Sequence, residues 1–249
     1  MKRTLAAASL SIAALAAPAG AFDLTAMSED ERAAFRAEIR AYLLENPEII
    51  MEAVGVLEQR QAEQQAQADV DLVKINAEDI FNDGYSWVGG NVNGDVTLVE
   101  FVDYRCGYCR KAHDEVAQLV DTDGNIKFIL KEFPILGEES LISSRFAIAT
   151  KMVAGDDAYK QMHDALITFN GNVGRGSLTR LAEGLGIDPE PILARMDDPE
   201  IDAIIQKNRE LAGRLQINGT PTFVFEDQLL RGYVPLQGMM QIVDQIRAN

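Results

Sequence analysis

The chain has 249 residues, 47% of them hydrophobic, and its 39 acidic against 23 basic residues give a formal net charge of −16. That length suits one large domain or one domain with an appendage, and the apolar content can build a core without covalent staples. Such an acidic chain is a poor electrostatic match for nucleic acid or anionic lipid, which argues against DNA, RNA and membrane-surface partners.

The chain opens Met1-Lys2-Arg3, runs apolar through Leu5–Ala17, and reaches small residues at Pro18-Ala19-Gly20-Ala21. A basic start, a short apolar stretch and a small-residue site describe a signal peptide, residues 1–21, cut after Ala21. The apolar run is well short of the roughly 20 residues that span a bilayer. Export to the periplasm is therefore expected. Cleavage removes two basic residues and no acid, leaving the remainder more acidic still.

Ser28-Glu29-Asp30-Glu31 carries the Ser-x-x-Glu pattern of a capping box, and Phe35, Ile39, Tyr42 and Leu43 follow at helical spacing. Asn46-Pro47 interrupts, and Ile49, Ile50, Val54 and Leu57 mark a second helix. Residues 22–57 thus form a helical arm with an apolar face but too little chain to bury it alone, so the arm docks or meets copies of itself. Residues 58–68 are good helix formers without a large apolar side chain. They read as a solvated shaft, with residues 58–82 as a linker, and that favours self-association over docking.

The main domain is expected over residues 83–249. Val96–Asp103 is apolar on both alternating faces, as in a central strand covered on both sides. A helix from about Cys106 to Val120 and a second strand, Ile126–Glu132, come next. Residues 138–215 read as helices at 138–154, 156–168, 177–185, 189–196 and 199–215. Strands at Thr222–Glu226 and Gln228–Tyr233 and a last helix from about Pro235 close an α/β plan with a helical insertion.

The only cysteines are Cys106 and Cys109, in Cys-Gly-Tyr-Cys. Exchange of disulfides requires a thiolate, and a strand-to-helix junction offers Cys106 unpaired N–H groups and a helix dipole that stabilise one. Cys106 then attacks and Cys109, one turn inward, resolves. Haem attachment wants histidine after the second cysteine, where Arg110 stands. Zinc finds at most three ligands nearby, in Cys106, Cys109 and His113. Copper(I) on two thiolates and a permanent disulfide stay open as minor readings, and no cofactor or resident metal is expected.

Glu100 and Lys131 are charges in otherwise apolar strands, and a buried charge needs a partner. Either they pair beneath the sulfurs and move protons to and from Cys109, or their tips reach solvent at the strand ends. Thr220-Pro221 precedes a strand, either as ordinary punctuation or as a cis bond whose loop offers backbone groups to an extended client.

Val99–Cys109, the helical insertion and Gly219-Thr220-Pro221-Thr222 together resemble the DsbA-like group of thioredoxin-fold proteins over about residues 83–249. The Gly107-Tyr108 dipeptide, Thr220 before the proline and the arm ending near Asn46-Pro47 narrow the resemblance to ScsC (suppressor of copper sensitivity) and Com1-like proteins. The resemblance implies a thioredoxin fold with an inserted helical subdomain, preceded by an N-terminal oligomerisation arm. It implies a nucleophilic Cys106, a cis Pro221, and Glu100 under the active site, with Lys131 as its partner. Thr220, Pro221, Gly107 and Tyr108 are then the residues that meet substrate. It further implies assembly into a homo-oligomer, a trimer by preference, disulfide isomerase or reductase activity on exported cysteine-containing proteins, a membrane thiol reductase as electron donor, and a link to copper tolerance. A DsbA-type dithiol oxidase and a periplasmic copper-binding protein are the alternatives.

Overall fold

A computed structural model describes residues 25–248, so the expected signal peptide and its cleavage site lie outside the described residues. The chain divides into two compact units, one ending at Gln59 and one beginning at Arg60.

In the first unit, α1 (Glu29–Glu45) starts on the expected capping box. Glu31 N–H donates to Ser28 Oγ, while Ser28 N–H donates to Glu31 Oε2 at 2.8 Å. Asn46 ends the helix by donating its N–H and its side-chain amide to the Tyr42 carbonyl. Pro47 directly precedes α2 (Glu48–Ile75), where its missing N–H breaks no helical bond. Helix α1 buries none of its residues. Phe35, Ile39, Tyr42, Ile50, Val54 and Leu57 are all exposed, so the apolar face expected from the periodicity is uncovered within this unit.

In the second unit, residues 60–68 of α2 are exposed, and then Asp69 and Val73 are buried. The short α3 (Ala77–Phe81) buries Ile80 completely. Residues 69–82 are therefore not linker, and the domain begins before the expected residue 83. Val73 and Ile80 fill one face of the sheet, and the Asp69 carboxylate takes a two-pronged ion pair from Arg231 at 2.7 and 2.8 Å.

The sheet has the order β1-β3-β2-β4-β5. Its strands are β1 (Trp87–Gly90), β2 (Val96–Val102), β3 (Ile126–Glu132), β4 (Thr222–Phe225) and β5 (Gln228–Arg231). Strands β2 and β3 are parallel and joined by α4 (Gly107–Asp123); every other pairing is antiparallel. Between β3 and β4 lies the helical insertion: α5 (Glu138–Thr168), α6 (Arg175–Gly184), α7 (Pro189–Arg195) and α8 (Pro199–Arg214). Helix α5 is broken at Gly155, whose φ of 87° is open to glycine and strained for other residues, so the expected division near residue 155 is present as a kink. Helix α9 (Leu236–Ala248) closes the chain.

Alternation sorts β2 onto two cores. Val96, Leu98 and Val102 pack with Ala112, Val116 and Leu119 of α4 and Met239 and Val243 of α9. Val99 and Phe101 pack on the other face with Val73, Ile80, Leu211 and Leu215. This two-sided burial explains why β2 reads as a continuous apolar run, and it places the end of β2, where α4 begins, over the centre of the sheet.

Candidate active site

Cys106 is the N-cap of α4, with extended φ and ψ of −76° and 119°. Asp103 builds the turn that delivers it. This fully buried acid accepts from Arg105 N–H at 2.8 Å and from Ile135 and Leu136 N–H at 2.8 and 3.0 Å, and its carbonyl accepts from Cys106 N–H. Arg110 ties the same turn to the end of α5 through the carbonyls of Tyr104 and Phe169 and the Asn170 side chain. Sequence reasoning used Arg110 only to exclude haem, and it did not pick out Asp103, whose signal is an acid directly after an apolar strand.

The two sulfurs, present as free thiols, sit in different surroundings. Cys106 is 7% exposed and Cys109 1%. The Cys109 side chain as hydrogen-bond donor is the largest influence pulling the Cys106 thiol down to about 5. Burial opposes it, and the Thr220 side chain and the Cys109 and Tyr108 N–H groups add to it. Burial first, then donation to Cys106 and the nearby Glu100 carboxyl, pushes the Cys109 thiol far up. One sulfur is therefore a thiolate at neutral pH and its neighbour keeps its proton, the division expected from the helix start.

The Thr220–Pro221 peptide bond is cis, and Cys106 Sγ lies 3.1 Å from the Thr220 carbonyl oxygen, to which it donates only while it carries its proton. A loop 114 residues away in sequence thus reaches the attacking sulfur. Gly107 has open space where a side chain would stand, and Tyr108 is 63% exposed, stacked on Tyr233 with ring centroids 6.2 Å apart. The four residues expected to meet substrate frame one surface around Cys106.

Glu100 is buried beneath this surface, 4% exposed, and burial, with the Cys106 charge second, raises its carboxyl to about 8. Lys131 is not its partner. The register sets Glu100 opposite Leu130 and Lys131 opposite Phe101, so the two side chains leave opposite faces of the sheet. Lys131 instead forms a buried ion pair with Asp83 and donates to the Asp79 carbonyl and Ser86. The expected Glu100–Lys131 pair is thus corrected by strand register. Asp83 is stabilised as a carboxylate by Lys131 against its own burial.

A second buried polar group lies on the Glu100 face. Glu132 accepts from Tyr104 and Tyr159 hydroxyls and from Ser144, each at 2.7 Å, and Tyr104 also meets His163 Nδ1 at 3.1 Å. Burial lifts Glu132 to about 7, against those three donors, and drives His163 well below its ordinary value. Sequence reasoning did not pick out this group: Glu132 entered it only as the last residue of the expected strand Ile126–Glu132.

Residues 97–246 match the DSBA-like thioredoxin domain, and residues 31–64 match the N-terminal domain of the copper resistance protein ScsC. A thioredoxin-like oxidoreductase from Silicibacter pomeroyi DSS-3 is 40% identical with a TM-score of 0.65, over 69% of this chain and 98% of its own. Proteus mirabilis ScsC in a transitional conformation is 26% identical with a TM-score of 0.64, over 89% of this chain and 97% of its own. The Na(+)/H(+) antiporter NhaA 1 of Salinispora arenicola is 26% identical over 157 residues, which is 63% of this chain and 24% of the antiporter. The chain thus spans about a quarter of the length of that curated relative. With a cysteine pair at the helix start, a cis-proline loop against it and these matches along most of its length, the chain belongs to the DsbA-like thioredoxin-domain family of thiol–disulfide oxidoreductases and carries an N-terminal ScsC domain.

Proposed function

We propose that the protein is an exported, periplasmic disulfide isomerase or reductase acting on cysteine-containing proteins of that compartment. The observation that carries the reading is the opposite displacement of two neighbouring thiols, Cys106 pulled to about 5 and Cys109 pushed far up. Cys106 thiolate attacks one sulfur of a client disulfide; a Cys106–client bond forms and the client's other sulfur leaves as a thiolate. Cys109 then loses its proton and attacks Cys106 Sγ, closing the Cys106–Cys109 disulfide and releasing the client's second thiolate. In isomerisation the freed client thiolate attacks another client disulfide, a client thiolate released by that exchange attacks the client sulfur bonded to Cys106, and Cys106 leaves as the thiolate it began as.

Glu100 is the proton acceptor for Cys109. When Cys106 enters a mixed disulfide its charge vanishes, one of the two influences holding Glu100 protonated is removed, and the carboxylate becomes available at the moment Cys109 needs it. Thr220 and Pro221, with Gly107 and Tyr108, hold the client's extended backbone.

The isomerase direction is supported by the first unit, with its uncovered apolar side chains and its ScsC N-terminal match. Copies joined there, three by preference, bring several dithiols to one misbonded client and raise their effective concentration. A membrane thiol reductase keeps Cys106 reduced. One observation favours a DsbA-type oxidase instead: a stabilised Cys106 thiolate stabilises the reduced form and makes the disulfide the stronger oxidant. Refolding a scrambled multi-disulfide client with the reduced protein separates the two. Recovery of native client without added oxidant supports the isomerase, and recovery only from a fully reduced client, with the oxidised protein, supports the oxidase.

A further inference from the structure

His113 lies one helical turn beyond Cys109 on α4 and faces α5, with its ring centroid 5.4 Å from that of His163. The two imidazoles, with Lys160 and Glu100, line a cavity of about 130 Å³. Asp164, next to His163, brings Oδ1 to 3.4 Å from His113 Nε2. One nitrogen from each histidine and one Asp164 oxygen all lie within 4.8 Å of one another.

The buried network fixes which nitrogen His163 offers. Tyr104 spends its single hydroxyl hydrogen on Glu132 Oε1 at 2.7 Å, so towards His163 Nδ1 at 3.1 Å its oxygen accepts. While Glu132 is a carboxylate this arrangement favours the ring proton on Nδ1, which leaves Nε2 with its lone pair. His163 is 3% exposed and contributes to the wall of the cavity. An imidazole in the lining of this cavity, with a second imidazole and a carboxylate oxygen within 4.8 Å, suits a cation or a water. The outer tyrosine and carboxylate stand where groups that orient metal-binding histidines stand.

We propose that His113, His163 and Asp164 form a site for a divalent first-row transition ion, separate from the cysteine pair. Two imidazoles and a carboxylate suit zinc and its borderline neighbours rather than copper(I), which prefers sulfur. Bonds of 2.0–2.1 Å set tetrahedral donors about 3.3 Å apart. The His113–Asp164 edge already has that span, and the remaining edges close by movement of the two more exposed side chains, Asp164 and His113. A solvent molecule completes the shell.

Lys160 opposes the ion. Its ammonium lies 2.7 Å from both Asp164 oxygens and occupies the cation's seat. The Lys160 side chain is 35% exposed and free to swing outward, so metal entry exchanges one cation for another on Asp164.

The test uses the full chain carrying Cys106→Ser and Cys109→Ser, which removes every thiolate, titrated with Zn²⁺ by calorimetry and with Co²⁺ by visible absorption. One ion per chain binds, and Co²⁺ gives ligand-field bands without sulfur charge transfer. His113→Ala and His163→Gln each weaken binding by about 10-fold or more, and Lys160→Gln tightens it. His163 is buried, so far-ultraviolet circular dichroism verifies its variant, while half-buried His113 provides an independent arm. Zn²⁺ affinity weaker than about 100 µM in the thiol-free protein overturns the site, as does binding indifferent to His113→Ala.

Discussion

At the scale of single residues, the chemistry rests on one sulfur held charged and another held neutral. The Cys106 thiol falls from an ordinary value of 9.0 to about 5, with the Cys109 donor as the leading cause. Alkylation of Cys106 should therefore rise with a midpoint near pH 5, and Cys109→Ala should move that midpoint upward; an unmoved midpoint removes Cys109 as the donor. The same displacement has a stability consequence of fixed sign. A group whose folded pKa lies below its unfolded value stabilises the fold fully above the unfolded value and loses that contribution as pH falls through the folded one. The melting temperature of the reduced protein should thus gain on that of Cys106→Ser between about pH 5 and pH 9, and thermal scans across that window check it. Glu100→Gln should slow closure of the Cys106–Cys109 disulfide by about 100-fold at pH 7 while leaving Cys106 alkylation fast, as stopped-flow measurements on a mixed disulfide would show. Both buried strand charges, Glu100 and Lys131, gave the same signal in sequence, a hydrophilic residue in an apolar run. That signal foretells burial and the need for a partner. The face a charge occupies depends on register between two strands, which no local pattern fixes.

At the scale of elements, β2, β3, β4 and β5 were all legible in advance, β2 and β3 most plainly because their β-branched and aromatic runs are continuous. Strand β1, Trp87-Val88-Gly89-Gly90, was not among them; it is short and ends in two glycines, which weaken a strand pattern. The close approach of β3 requires the second of them: a side chain at Gly90 would stand 2.4 Å from the Ile126 carbonyl oxygen, and its φ is +65°. The last turns of α2 escaped for another reason. Ile75 is 81% exposed while Val73 and Asp69 are buried, and Asp69 is anchored by an arginine 162 residues away. Lys131 and Asp83 join β3 to the loop that follows α3. Their pairing predicts that Lys131→Met leaves an uncompensated buried carboxylate and destabilises the protein by about 3–5 kcal/mol in urea unfolding. Replacing both, Lys131→Met with Asp83→Leu, should restore most of that loss. Neither variant should alter the rate at which Cys109 closes the disulfide; a slowed closure in Lys131→Met would return Lys131 to the proton pathway.

At the scale of the whole molecule, the proposed association of the first unit would bring together an apolar face and a net negative charge. Between residues 25 and 59 there are eight acidic residues and three arginines, and the complete chain carries −16. Phe35, Ile39, Tyr42, Ile50 and Leu57 favour association, since burying each large side chain contributes about 1.5–3 kcal/mol before the entropy of assembly is subtracted. Like charge opposes it over a distance that shrinks from about 30 Å at 0.01 M salt to about 8 Å at 0.15 M. The two contributions respond differently to ionic strength, because screening weakens the repulsion and leaves the apolar gain intact. Sedimentation of the full chain should therefore show the oligomer tightening as NaCl rises from about 0.02 to 0.3 M, with the chain lacking residues 22–57 monomeric throughout. Isomerase activity should follow the oligomer along that series, while reduction of a small disulfide, which needs only one dithiol, should stay level. An assembly that loosens with added salt would instead be held by ion pairs, and the uncovered apolar face would not be its interface.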